Sequence, residues 1–135
     1  MVCIYCKNKT SVSNSRSSVK TNTTWRRRVC KVCSSIFTTR EIVDLESSLM
    51  VSATSKHLEP FLRDKILVSI YSCLTHKTTA ITDAISLSNT VISSIISDNT
   101  KGMISSNDIF EITYSTLKRF DEPASVYYRA HHRAN

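Results

Sequence analysis

The amino-acid sequence predicts an α+β protein: a small N-terminal β module pinned by a metal ion, followed by a mainly α-helical domain. Three observations predict it. Four of the five cysteines stand in two Cys-x2-Cys pairs near the start, Cys3/Cys6 and Cys30/Cys33. The chain's net charge of +7 sits wholly in residues 1–45, where nine Lys/Arg face only Glu41 and Asp44. Beyond about residue 58 the apolar residues change from sparse to helical spacing.

Residues 1–45 are rich in Ser, Thr, Lys and Arg. Ile4, Val12, Val29, Ile36 and Phe37 are too few for an independent core, so a segment this short needs a metal or disulfides to fold. Short β-strands fit best. Residues 35–39 (Ser-Ile-Phe-Thr-Thr) and Thr23-Thr24-Trp25 are β-prone. Residues 46–135 form the second domain and balance nine basic against nine acidic groups. They open with a junction, 46–58, holding one strand near Leu49-Met50-Val51.

Glu59-Pro60-Phe61 suits a helix entry, because proline is tolerated in a first turn. Leu62, Ile66, Ile70, Cys73 and Leu74 then share one face, with Cys73 a buried small hydrophobe. A second helix is expected over about 79–97, with Ile81, Ile85, Val91, Ile92, Ile95 and Ile96 as its stripe. Asn99-Thr100-Lys101-Gly102 reads as a turn around the chain's one glycine. A third helix follows over about 106–120, with Ser106 as N-cap and Ile109, Ile112, Thr116, Leu117 and Phe120 on one side. Asp121-Glu122-Pro123 ends it and starts a last helix, about 123–132, whose His131 and His132 are expected to be exposed. His57 and His76 fall in expected loops.

No apolar run approaches the roughly 18 residues that span a bilayer. The first residues also lack the basic region and apolar core of a secretory signal. The expectation is a soluble cytoplasmic protein without a membrane partner. In a reducing compartment the cysteine pairs are metal ligands sooner than disulfides. Each Cys-x2-Cys knuckle aims two sulfurs at one point, and two knuckles complete a tetrahedral S4 shell that suits zinc. Cys3, Cys6, Cys30 and Cys33 therefore hold one Zn2+ per chain. With every position taken by sulfur, no site is left for a reactive water, and the ion is structural. Neither pair is followed by a glycine, although a glycine eases this backbone.

Trp25-Arg26-Arg27-Arg28 reads as a basic loop held by the second knuckle. Guanidinium forks suit phosphates and guanine edges, and Trp25 can stack or wedge. Arg16 and Lys20 lie on the other arm of the 23-residue insert, and Lys31 inside the knuckle. Charge concentrated in one metal-held module points to nucleic acid. No nucleophile–base pair, open metal position or phosphate-cradling glycine loop is present in the sequence, so no enzyme is expected.

These residues resemble a known family. Cys3-x2-Cys6, Asn14-Ser15-Arg16, Trp25-Arg26-Arg27-Arg28-Val29-Cys30-x2-Cys33 and Phe37-Thr38-Thr39-x-Glu41 are similar to the bacterial ribonucleotide-reductase transcriptional repressors, NrdR. Glu59-Pro60-Phe61-x3-Lys65-Ile66 and Asp121-x2-Ala124-x-Val126-x-Tyr128 extend the likeness over nearly the whole chain. The resemblance implies a zinc ribbon (1–45) that binds duplex operator DNA upstream of ribonucleotide reductase genes, in the nucleoid. It implies an ATP-cone (46–135) in which ATP or dATP sets the homo-oligomer that fits the DNA. Nucleotide contacts are implied at Val51, Glu59, Lys65 and Tyr128. The chain departs from the pattern with Asn14 for Asp, Ile36 for Arg, and Ala53 where a phosphate-binding lysine is expected, leaving Lys56 or Lys65 to supply that charge. A second reading stays open: a ribbon for RNA or single strands, on a helical dimerisation domain without a nucleotide switch.

Overall fold

The structure, a computed structural model, describes residues 1–53, 57–98 and 101–132. Two compact units divide the chain, Met1–Val43 and Asp44–Asn135.

The first unit is a three-stranded antiparallel sheet in the order β1-β2-β3, made of β1 (Thr10–Ser18), β2 (Thr23–Cys30) and β3 (Ile36–Glu41). β2 and β3 carry the segments expected to be extended. β1 carries no such signal, since it is nearly all serine and polar. It forms because β2 offers a free edge, and its hydroxyls add bonds of their own: Ser13 Oγ donates to the Arg27 carbonyl at 3.2 Å, and Ser17 Oγ meets Thr24 Oγ1 at 3.2 Å. A bulge at Ser13 shifts the register between Val12 and Asn14. The hairpin closes where Asn22 N–H donates to the Val19 carbonyl at 3.2 Å, with Asn22 at φ 47°. Asparagine tolerates that left-handed conformation better than most residues.

The second unit begins with α1 (Leu45–Ser48), β4 (Met50–Ser52) and β5 (Leu58–Pro60). It continues with α2 (Arg63–Cys73), α3 (Ala80–Asp98), β6 (Met103–Ser105), α4 (Ser106–Phe120) and α5 (Glu122–His131). Its small sheet has the order β5-β4-β6, with β4–β5 antiparallel and β4–β6 parallel. Glu59-Pro60 is therefore strand, not helix entry. Pro60 lies on an edge strand, where a missing N–H costs no ladder bond. Phe61 follows it into the core, 2% exposed, with its N–H donating to the Leu49 carbonyl at 2.9 Å. Gly102 takes φ 66°, and its carbonyl accepts from Met50 N–H at 3.0 Å. Asn99 and Thr100 of the expected turn lie outside the described residues.

Three helix expectations are corrected. The buried face of α3 is Ala80, Ala84, Leu87, Ser88, Val91, Ile92 and Ile95. Ile81, Ile85 and Ile96, assigned to the stripe, are 40–52% exposed. Isoleucines ring this helix on several sides, so residue type alone does not select a face; small Ala80 and Ala84 let neighbouring backbone approach. By length and composition α3 is also long and apolar enough to cross a membrane. Its buried stripe instead packs within the core formed by Leu49, Phe61, Ile70, Leu74, Leu117 and Tyr128. In α4 the cap is Ser105, whose Oγ accepts from Asp108 N–H at 3.0 Å, one residue before the expected Ser106. Phe120, expected on the apolar side, is 44% exposed, with Lys77 Nζ 4.3 Å above its ring.

Asp121 joins two elements. Its Oδ1 accepts from Ala124 N–H at 2.9 Å and so caps α5, while Oδ2 meets Lys77 Nζ at 2.9 Å and His76 Nε2 at 3.4 Å. The Ala124 N–H and then Lys77 hold this carboxyl below the usual carboxylate range.

Candidate metal centre and nucleic-acid face

The two knuckles bring all four expected ligands together. The Sγ atoms of Cys3, Cys6, Cys30 and Cys33 lie within 4.8 Å of one another. Cys3–Cys33 are 3.6 Å apart and Cys6–Cys30 3.4 Å. Disulfide sulfurs would be about 2.05 Å apart. Four sulfurs at about 2.3 Å from a central zinc are separated by about 3.8 Å in a tetrahedron, so the cluster fits that ion closely. Cys3 and Cys30 are fully buried.

The two knuckles are built alike. Lys7 N–H donates to the Cys3 carbonyl at 3.0 Å and Cys3 N–H to the Asn8 carbonyl at 2.8 Å; Cys30 N–H reaches the Ser35 carbonyl at 3.0 Å. Lys7 (φ 63°) and Ser34 (φ 56°), each just after a cysteine pair, take the left-handed turn where a glycine would be unstrained.

Sequence reasoning missed the residues that orient the sulfurs. Ser35 Oγ lies 3.1 Å from both Cys3 Sγ and Cys33 Sγ. Asn8 Nδ2 donates to Cys6 Sγ at 3.4 Å. Such polar partners steady metal ligands and favour their ionised form. The backbone N–H of Cys6, then the Ser35 hydroxyl, lower the Cys3 thiol to about 6. The Asn8 side-chain amide lowers Cys6. Cys30 is opposed: the Cys33 N–H favours its thiolate, but burial and the neighbouring Cys6 and Cys33 sulfurs outweigh it and push the thiol up to about 11. A divalent cation compensates that crowding when all four ionise. The only signal for Ser35 and Asn8 was their position two residues after each pair.

The seven residues expected to meet nucleic acid all fall in this unit. The arginine run is not a loop. It is the central strand, so its side chains alternate between the two faces of the sheet. Arg26 pairs with Glu41, and Arg28 Nε donates to Thr39 Oγ1 at 3.1 Å; both are half-buried. Arg27, between them, projects to the opposite face and is exposed. Trp25, half-buried, shares the Arg27 face and stands opposite Arg16 of β1. Lys20 is exposed in the β1–β2 turn and Lys31 in the second knuckle.

The four implied nucleotide residues are only partly brought together. Val51 pairs with Glu59 across β4–β5, and Lys65 Nζ binds Glu59 Oε2 at 2.9 Å. That pairing lowers the Glu59 carboxyl and occupies the Lys65 ammonium. Lys56 lies outside the described residues. Tyr128 is 4% exposed in the core, stacked on Phe110 at 5.5 Å and on His132 at 4.6 Å; neither Val51, Glu59 nor Lys65 is among its described partners. His132, expected to be exposed, is half-buried, with Nε2 3.2 Å from Ser69 Oγ, and burial lowers its pKa.

A family model described as the N-terminal domain of NrdR-like transcriptional repressors matches residues 1–41. The chain is similar to the transcriptional repressor NrdR of Chelativorans sp. (strain BNC1), 33% identical over 134 residues, covering 98% of this chain and 86% of that protein. The protein of the same name from Brucella anthropi is 30% identical over 134 residues, covering 98% and 84%. That of Bartonella henselae is 41% identical over 71 residues, 52% of this chain and 44% of the relative. A cluster of four thiols on a small sheet, a helical second unit and this end-to-end likeness agree: the chain belongs to the NrdR family of transcriptional repressors.

Proposed function

We propose that this protein is a zinc-dependent repressor that binds duplex DNA through residues 1–45 and is regulated by an adenine nucleotide bound in residues 46–135. The single observation that carries the reading is the tetrathiol cluster within the segment, residues 1–45, that holds the chain's whole net charge. One structural zinc turns a segment with almost no apolar core into a stiff platform, and a stiff platform holds arginines at fixed spacing for a duplex. Arg16, Lys20, Trp25, Arg27 and Lys31 reach solvent and supply the polyanion contacts.

The helical unit is the regulatory half. Val51, Glu59 and Lys65, joined by the β4–β5 pairing and the Glu59–Lys65 ion pair, form the candidate nucleotide contacts; Tyr128, buried in the core, supports the unit from within. ATP or dATP shifts the homo-oligomer by binding one assembly more tightly than another, which changes how two ribbons are presented to the operators of ribonucleotide reductase genes.

Titration of an operator duplex at several salt concentrations tests the first half. Four neutralised phosphates give a slope of log K on log salt near −3.6, and a slope near zero removes the DNA reading. Light scattering with and without dATP tests the second: a mass that does not respond removes the switch.

A further inference from the structure

The register of the ribbon sheet adds Arg40, outside the expected nucleic-acid contacts, to the face that carries Arg16 and Arg27. Trp25 of β2 pairs on one side with Arg16 of β1 and on the other with Arg40 of β3. Directly opposed residues on neighbouring strands project from the same face. Arg16, Trp25 and Arg40 thus form one row across the sheet, and Asn14, Arg27 and Thr38 form the next row on that face. Arg16, Arg27 and Arg40 are all exposed, and among the described residues none of their guanidinium groups has an ion pair or hydrogen bond. The other face differs. There Arg26 is held by Glu41 and Arg28 by Thr39, and both are half-buried.

We infer that the Arg16–Trp25–Arg40 row, with Arg27 beside it, is the surface that meets the DNA backbone, and that Arg40 is one of its phosphate contacts. The inference rests on the DNA-binding reading above and narrows it to one face. Three charges without internal partners on one face of a rigid sheet attract polyanion, whereas a guanidinium already bound to a carboxylate must first give up that partner. Adjacent strands are about 4.8 Å apart, so the backbones carrying Arg16 and Arg40 stand about 10 Å apart with Trp25 between them. Long arginine side chains reach phosphates on both sides of a groove from that spacing, with the indole free to press on sugar or base between them.

The test is the salt dependence of duplex binding by the full chain, with zinc content measured for each variant. Arg40→Gln should make the slope of log K on log salt shallower by about 0.9, so that its affinity loss between 50 and 200 mM salt is about 3.5-fold smaller than that of the unaltered protein. Arg40→Lys, which keeps the point charge, should restore the slope. Arg26→Gln should change it much less. An Arg40→Gln slope equal to that of the unaltered protein, or a larger change from Arg26→Gln at full zinc content, would overturn the choice of face while leaving DNA binding in place. Failure of the unaltered protein to bind duplex at all would instead bring down the reading beneath it.

Discussion

The two units of this chain reach order by opposite means. In residues 1–43 the buried apolar positions are Cys3 and Cys30 of the thiol cluster, and the strands around them are mostly serine, threonine and arginine. In residues 44–135 a continuous core runs from Leu49 and Phe61 through Ile70, Val91 and Ile95 to Leu117 and Tyr128. One unit is held at a point and the other through a volume. The contrast explains the division of charge as well. A module that does not rely on packing can place cations along nearly every strand, because few side chains are needed inside. A packed helical bundle needs its apolar faces and keeps its charges balanced outside.

Removal of the metal should separate the units most sharply. Metal binding is worth about 10–16 kcal/mol in modules of this kind, more than any other single contribution here. A strong chelator, or Cys30→Ser, should abolish the ordered amide signals of β1–β3 while the helical signals persist. Survival of the strands without metal would break the comparison, since burial would then be sustaining both units.

The reverse experiment acts on the core. Ile70 is fully buried on α2, and Ile70→Ala should cost the helical unit about 2–5 kcal/mol in denaturant unfolding. Zinc stoichiometry should stay at one per chain. A concurrent loss of zinc would show the units to be energetically coupled.

A smaller effect is expected at Asp121. Asp121→Ala removes the cap of α5 and the Lys77 partner, at a cost of about 1–2 kcal/mol. Because the folded carboxyl is held below its unfolded value, its contribution is present above an unfolded pKa of about 3.9 and is lost as pH falls from there through the folded value. Stability of Asp121→Asn measured over that range should lack this acid-side fall. An unchanged pH profile would assign the residue no ionic role.

The smallest predicted change is a gain. Ser34→Gly relieves a left-handed turn in the second knuckle and should stabilise the metal-bound ribbon by about 0.5–1 kcal/mol. Competition with a chromophoric chelator should then show zinc held about two- to fivefold more tightly. A weaker grip would mean that the Ser34 side chain contributes something the backbone strain conceals.

Much of the site was legible in the chain itself. The Cys-x2-Cys pairs announce their own geometry, because two residues between cysteines leave few ways for the backbone to turn. The helices of the second unit were legible from apolar spacing, and α2 and α4 lie close to where that spacing put them. Other features were hidden for definable reasons. β1 has almost no apolar residues, so its strand exists only through pairing with β2. The Glu59-Pro60 segment carries a helix-entry signature, but β4 captured it as an edge strand. Ile81, Ile85 and Ile96 have the residue type of a core and the rotation of a surface, because Ala80, Ala84 and Leu87 were the side chains that fitted between neighbours.

Taken alone, the order of residues determined which four sulfurs gather in one cluster, where the positive charge is gathered, and that the second half packs as helices. Those properties follow from residue type and short spacing, which act before any distant contact forms. Tertiary structure decided which face each arginine occupies, which side of α3 is buried, and which of the candidate residues remain free to meet a ligand. A strand exposes alternate side chains to opposite faces and a helix presents a new one every 100°, so these choices wait for the neighbouring strand or helix that covers one side.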